Sequence, residues 1–105
     1  MCARYTVTKN PQDLAKRFKV DTVDGQIKLP RYNIAPTQEA PVVYKNSGKR
    51  TLTQFRFGLI PSWSKDISIG QKMFNARVET LTEKVSFKKL LKDHRCLVVS
   101  DGFYE

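Results

Sequence analysis

The sequence predicts an α+β fold of mostly antiparallel strands with short helices outside them. Three observations carry this prediction. Two alternating segments, residues 42–45 and 51–57, are separated by Asn46, Ser47 and Gly48, which is a hairpin signal. A further alternating run at residues 3–8 and an apolar run at residues 96–99 have strand character. The apolar stripes with helical spacing, one after Asn10 and one near Phe87, are short and far apart.

From the N-terminus, residues 3–8 place Tyr5 and Val7 on one face of a strand and Arg4 and Thr6 on the other. Asn10 is a helix N-cap, Pro11 suits the first helical position, and Asp13 complements the N-terminal dipole. Leu14, Ala15 and Phe18 form the stripe of a helix of about ten residues, and Gly25 breaks the chain after it. Residues 29–41, LPRYNIAPTQEAP, hold three prolines and little periodicity, so they read as an extended, fixed loop of the kind that carries sites. After the hairpin comes a long loop with Trp63, the only tryptophan. Residues 75–81 read as a short helical turn, and Val85, Phe87, Leu90 and Leu91 as a helix ending near Asp93. Residues 96–99 read as a buried strand with Cys96 in the core, followed by the turn residues Ser100, Asp101 and Gly102.

The chain has 105 residues, 40% of them hydrophobic, the size and composition of a single globular domain or part of one. Phe103 and Tyr104 follow directly on a turn and need burial to be useful, so a fragment of a longer domain is expected. Two cysteines are too few for a disulfide framework. No apolar run approaches the roughly 20 residues of a membrane span, and residues 1–10 lack a secretory h-region, so a cytoplasmic, membrane-free protein is expected. Nineteen Lys and Arg stand against ten Asp and Glu, a net charge of +9 spread along the chain, which favours a polyanion such as nucleic acid.

Cys2 is the residue richest in chemistry. Removal of Met1 before this small side chain would leave an α-amine with a reference pKa of about 8 beside a thiol of about 8.5. Such a 1,2-aminothiol condenses with an aldehyde to an imine, and the thiol then closes a five-membered thiazolidine; alternatively, the thiol attacks a carbonyl with its own amine as base. An incidental second residue is the plain alternative. Glu105 and His94, the only histidine, are the acid–base candidates. His94 lies in the charged run Lys92, Asp93, His94, Arg95, which suits a solvated or capping role. Glu105 follows Phe103 and Tyr104 in an inward-running strand, where partial burial would fit it to move protons. Arg4, two positions from Cys2, could hold an anion there. Trp63 could stack on a base, worth about 1–3 kcal/mol, or plug a core. Neither metal-ligand spacing nor a phosphate-binding glycine loop occurs, so no metal and no cofactor are expected.

Five ordered blocks, MCARYT at residues 1–6, RYNIAPTQ at 31–38, GLIPSWSKD at 58–66, NARVET at 75–80 and RCLVVSDGFYE at 95–105, resemble the SRAP family, the SOS response-associated peptidase domain. The family domain is about twice this length, so the resemblance covers its N-terminal half. It implies a barrel-like β core and a sensor of abasic sites in single-stranded DNA, acting in the DNA damage response through a covalent thiazolidine crosslink. By position, it implies that Cys2 is the nucleophile, that Asn75 positions the reacting sugar, and that Glu105 transfers protons. Arg4 and Arg77 would contact phosphates, and Asn33, Pro36 and Trp63 would line the surface where the strand kinks. Ala3, Phe57 and the pair Val99 and Ser100 depart from the usual glycine, tryptophan and Pro-Ala. The family's catalytic histidine, in a His-Arg-Met-Pro context, belongs to the second half, and His94 does not match that motif.

Two other functions use the same residues. One is an N-terminal-cysteine peptidase acting on its own leader or on other proteins. The other is a non-covalent single-strand-binding module in which Cys2 is incidental. The second half of the domain, as a separate fragment, is a further expected partner.

Overall fold

The computed structural model describes residues 3–105; Met1 and Cys2, and with them the proposed nucleophile, lie outside the described residues. The element order is β1 (Arg4–Val7), α1 (Pro11–Arg17), β2 (Thr22–Val23), β3 (Arg31–Ile34), β4 (Glu39–Asn46), β5 (Lys49–Arg56), α2 (Val85–Lys88), β6 (Leu97–Val98) and β7 (Gly102–Tyr104). Single 3-10 turns at Ile67–Gln71 and Val78–Thr80 punctuate the segment between β5 and α2. The strands form two sheets, ordered β3-β1-β7 and β2-β5-β4-β6, with every pairing antiparallel except β2 with β5. This is the expected α+β fold; among the described residues its sheets stay open and do not close into a barrel.

Local chemistry accounts for the elements that follow the sequence pattern. In β1, Tyr5 and Val7 are buried and Arg4 is exposed, which is the alternation of a half-buried strand. The Asn10 side chain accepts the Asp13 N–H at 2.8 Å and caps α1. The β4–β5 hairpin turns through Ser47 and Gly48, whose φ values of 53° and 79° are the paired positive angles of a turn that matches strand twist. Val7, Ile34 and Leu52 reach zero exposure and join Tyr5, Leu14, Val43 and Val99 in one core between the sheets. Each fully buried aliphatic side chain contributes about 1.5–3 kcal/mol.

Four features differ from expectation. Residues 29–41 are not a loop: they contain β3 and the start of β4, with Pro41 buried inside the strand and its carbonyl accepting the Val99 N–H. Pairing with β1 and β5 overrides the proline-rich composition. Helix α2 is one turn: Val85 is exposed, and beyond Lys88 the chain continues in separate turns, with the Leu90 N–H on the Phe87 carbonyl and the His94 N–H on the Leu90 carbonyl. The run at residues 96–99 is an edge rather than a buried strand: Leu97 and Val98 are 59% and 60% exposed and only Val99 is in the core. Cys96 accordingly sits at an exposed position, with enough local shelter to push its thiol pKa up by desolvation. Among the described residues no helix is long and apolar enough to cross a membrane.

Candidate functional site

Strand β1 is the axis of the site because it carries the N-terminal segment between β3 and β7. Its register against β7 pairs Arg4 with Tyr104, Tyr5 with Phe103 and Thr6 with Gly102. Glu105 follows the Arg4–Tyr104 pair at the end of β7, at the same end of the sheet where Ala3 precedes β1. On the other side, Tyr5 pairs with Ile34 of β3. Arg4 donates to Asn33 Oδ1 at 3.1 Å, and the Tyr104 hydroxyl reaches over to the Tyr32 carbonyl at 2.8 Å. Arg4, Asn33 and Tyr104 thus share the outer face of this sheet.

A clamp holds the β1–β7 register. Asp101 Oδ1 accepts the Thr6 hydroxyl, and its Oδ2 accepts both the backbone N–H and the hydroxyl of Thr8, each at 2.6 Å. The Asp101 N–H returns to the Thr6 carbonyl at 3.0 Å. These donors favour the carboxylate and hold its pKa down to about 2, below the ordinary 3.8. In the sequence Asp101 reads as a turn residue only; the outward alternation of Thr6 and Thr8 on β1 is the signal that could have paired it.

Asn75 is placed by packing from the other direction. Gly58, at φ 122°, lies so close to Gly70 that a methyl group on it would overlap the Gly70 carbonyl. This approach folds the loop back, and the Leu59 N–H bonds the Met73 carbonyl at 2.7 Å. Phe57 then bridges Tyr5 of β1 and Phe74, with ring centroids 5.8 Å and 5.9 Å apart. Phe57, where a tryptophan is usual, is therefore a packing residue. Asn75 follows Phe74 directly and lines two depressions. The first is an apolar trough of about 640 Å³ walled by Tyr5, Phe57, Phe74, Phe87, Val98 and Phe103. The second, of about 510 Å³, presents Lys72, Arg77 and Lys84, three cations without a carboxylate.

The remaining candidates are positioned as follows. Pro36 is half-buried and precedes Thr37, whose φ of 79° turns the chain out of β3 toward β4. Gln38 Oε1 braces this turn, accepting from the Ala35 N–H at 3.1 Å and from Arg31 at 2.8 Å, while Arg31 also donates to the Glu39 carbonyl. Trp63 is 61% exposed, a surface side chain and not a core plug. His94 is exposed and closes a turn through its N–H to the Leu90 carbonyl. Glu105 is exposed, contrary to the partial burial expected of it: among the described residues β7 is the edge strand of its sheet, and Phe103 is 64% exposed. Among the described residues no three His, Cys, Asp or Glu side chains are grouped to hold a metal ion.

Comparison with known proteins gives concordant results. The family model for SOS response associated peptidase (SRAP) matches residues 1–105. The chain is 42% identical over 107 residues to the abasic site processing protein YoqW of Bacillus subtilis, covering 100% of this chain and 47% of that protein. It is 33% identical over 129 residues to the abasic site processing protein HMCES of Xenopus tropicalis, covering 100% of this chain and 38% of that protein. A crystal structure of a Bordetella bronchiseptica protein shares the fold, with a TM-score of 0.75 at 21% identity over 99% of this chain and 50% of that one. The chain thus spans about half the length of these relatives, or less.

Proposed function

Because the chain belongs to the SRAP family, the SOS response associated peptidases, we propose that it is the N-terminal half of a single SRAP domain that processes abasic sites in DNA through Cys2. The observation that carries this reading is the convergence of two elements. The β1–β7 register brings the end of β7, with Glu105, alongside the N-terminal strand, and the Tyr5, Phe57, Phe74 ring contacts set Asn75 and the Lys72, Arg77, Lys84 groove beside the same sheet.

In this mechanism Glu105 protonates the ring oxygen of the closed abasic sugar, the bond from that oxygen to the anomeric carbon breaks, and the anomeric hydroxyl gives its proton to water as it becomes the aldehyde carbonyl. The free amine of Cys2, exposed by removal of Met1, adds to the aldehyde carbon, and the resulting carbinolamine loses one water to form an imine. The Cys2 thiolate then attacks the imine carbon while the nitrogen takes up a proton, which closes the thiazolidine. Asn75 holds the sugar against the aminothiol. Arg4 and Arg77 neutralise phosphates of a single strand, and Asn33, Pro36 and Trp63 support the kinked bases around the lesion.

The half-length match and the exposed apolar side chains Phe55, Val98 and Phe103 support a role for the second half of the domain, as a companion fragment seated on the trough. The isolated chain is therefore expected to react slowly. The test incubates it with abasic single-stranded DNA, alone and with the C-terminal half of a relative, and reads heat-stable adduct on a denaturing gel. Adduct that depends on Cys2 and on the aldehyde is expected. Equal adduct from Cys2→Ala would overturn the mechanism, and strand binding indifferent to the aldehyde would favour the non-covalent module. Intact mass showing a leader longer than Met1 removed ahead of Cys2 would favour the peptidase.

A further inference from the structure

A second charged depression lies at the other end of the β4–β5 hairpin, away from Asn75. Its volume is about 680 Å³, and five cations reach it from four separate parts of the chain: Arg17 and Lys19 at the end of α1, Lys45 on β4, Arg50 on β5 and Arg95 before β6. No carboxylate lines it; the nearby Asp21 is engaged with the Arg50 backbone N–H at 2.9 Å. The Arg50 guanidinium is itself anchored, donating to the Phe18 carbonyl at 3.1 Å. Between the cations the lining is apolar, from Phe18, Val43 and Leu97, while the Tyr44 ring turns to the other face of β4 and packs on Phe55.

The helix dipole accounts for Arg17 and Lys19 alone, since Lys45, Arg50 and Arg95 belong to other elements. Gathering five like charges is unfavourable unless an anion enters among them. Lys19 adds an independent sign. Its φ is 52°, the left-handed conformation that ends a helix and in which glycine is the usual residue, yet a lysine holds the position. A cationic rim over an apolar, partly aromatic floor matches an unpaired nucleic acid strand, whose phosphates meet the rim and whose bases lie on the floor. An acidic protein segment would use the rim and leave the floor bare.

We infer that this groove is a second binding surface for single-stranded nucleic acid, separate from the residues assigned to the reaction. Cys96, beside the edge strand β6, lines both this groove and the apolar trough that reaches Asn75, while Val43 and Leu97 of the groove and Val42 and Val98 of the trough alternate to opposite faces of the sheet. The inference rests on the proposed function for the choice of a single strand, but groove binding requires neither Cys2 nor an abasic site.

The experiment measures anisotropy of unmodified, labelled oligothymidylates, about five and about fifteen nucleotides long, with the wild-type chain and with the triple variant Lys19→Gln, Lys45→Gln, Arg95→Gln. Expected are at least tenfold weaker binding of the longer strand by the variant and a salt slope reduced by about two, near 0.7 for each phosphate no longer neutralised. In parallel, lysine acylation of the wild-type chain should show Lys19 and Lys45 protected by the longer strand and Lys28 unprotected, a readout that requires no variant to fold. Unchanged affinity and salt slope in a folded triple variant would overturn the inference, as would unprotected Lys19 and Lys45 under saturating strand. A groove that takes polyglutamate in preference to the oligonucleotide would also overturn it. Loss of strand binding in the variant supports the groove whether or not wild type forms a covalent adduct, so failure of the crosslinking mechanism remains distinguishable.

Discussion

Asp101 Oδ2 receives the backbone N–H and the hydroxyl of Thr8, both at 2.6 Å, and so ties the entry of β7 to the exit of β1. The carboxylate is the acceptor in each bond and accepts most strongly when ionised, so protonation of Asp101 weakens the clamp.

This fixes the sign of an acid dependence. The folded pKa, about 2, lies below the ordinary 3.8, so the unfolded chain binds the proton more readily. The clamp's contribution is complete above about pH 4 and is lost as pH falls from there toward about 2. Denaturation midpoints across that range should fall less steeply for Asp101→Asn than for wild type. Identical acid limbs would mean that the clamp does not hold the register.

The Gly58 contact gives a second prediction. Gly58→Ala forces a methyl into the Gly70 carbonyl from a left-handed backbone, so destabilisation of about 1–3 kcal/mol or more is expected. Because the same loop carries Asn75, adduct yield should fall further than the loss of folded protein explains. Urea unfolding compared with single-turnover crosslinking separates the two.

Asn75→Ala tests positioning. Misplacing the sugar should lower the adduct rate by about a hundredfold, while affinity for unmodified strand, set by the cations, stays within about twofold. A matched loss of affinity would make Asn75 a binding residue only.

Two stability predictions probe the scaffold. Leu52→Ala, at zero exposure in the core, should cost about 2–5 kcal/mol. Asn10→Ala removes the cap on Asp13 and should cost about 1 kcal/mol. Chemical denaturation measures both, and a cap effect as large as the core effect would contradict these roles.

The elements legible in the sequence are those written in neighbouring residues. Tyr5 and Val7 alternate with exposed partners because a strand's period is two, Asn10 caps because its side chain reaches three residues on, and Ser47 and Gly48 turn because both accept positive φ. The elements that local pattern does not reveal depend on what lies across them. Residues 31–34 become a strand through β1, and Leu97 and Val98 stay exposed because among the described residues β6 is the edge of its sheet. Glu105 follows the same rule: its sequence neighbours are aromatic, but its edge position leaves it in solvent.

By itself, the sequence determined the family, the basic character, the hairpin, the first helix and the residues with chemistry to offer, since motifs, charge and local periodicity need no partner. Only the tertiary structure decided which of those residues meet. Thr8 and Asp101 stand 93 positions apart, and their bond sets the register that puts Glu105 beside the N-terminal strand. Asn75 reaches the same sheet through a glycine contact and three rings in tilted and edge-to-face contact. Long-range register and packing arise from hydrogen bonds and contacts between distant segments, and local preferences along the chain do not encode them.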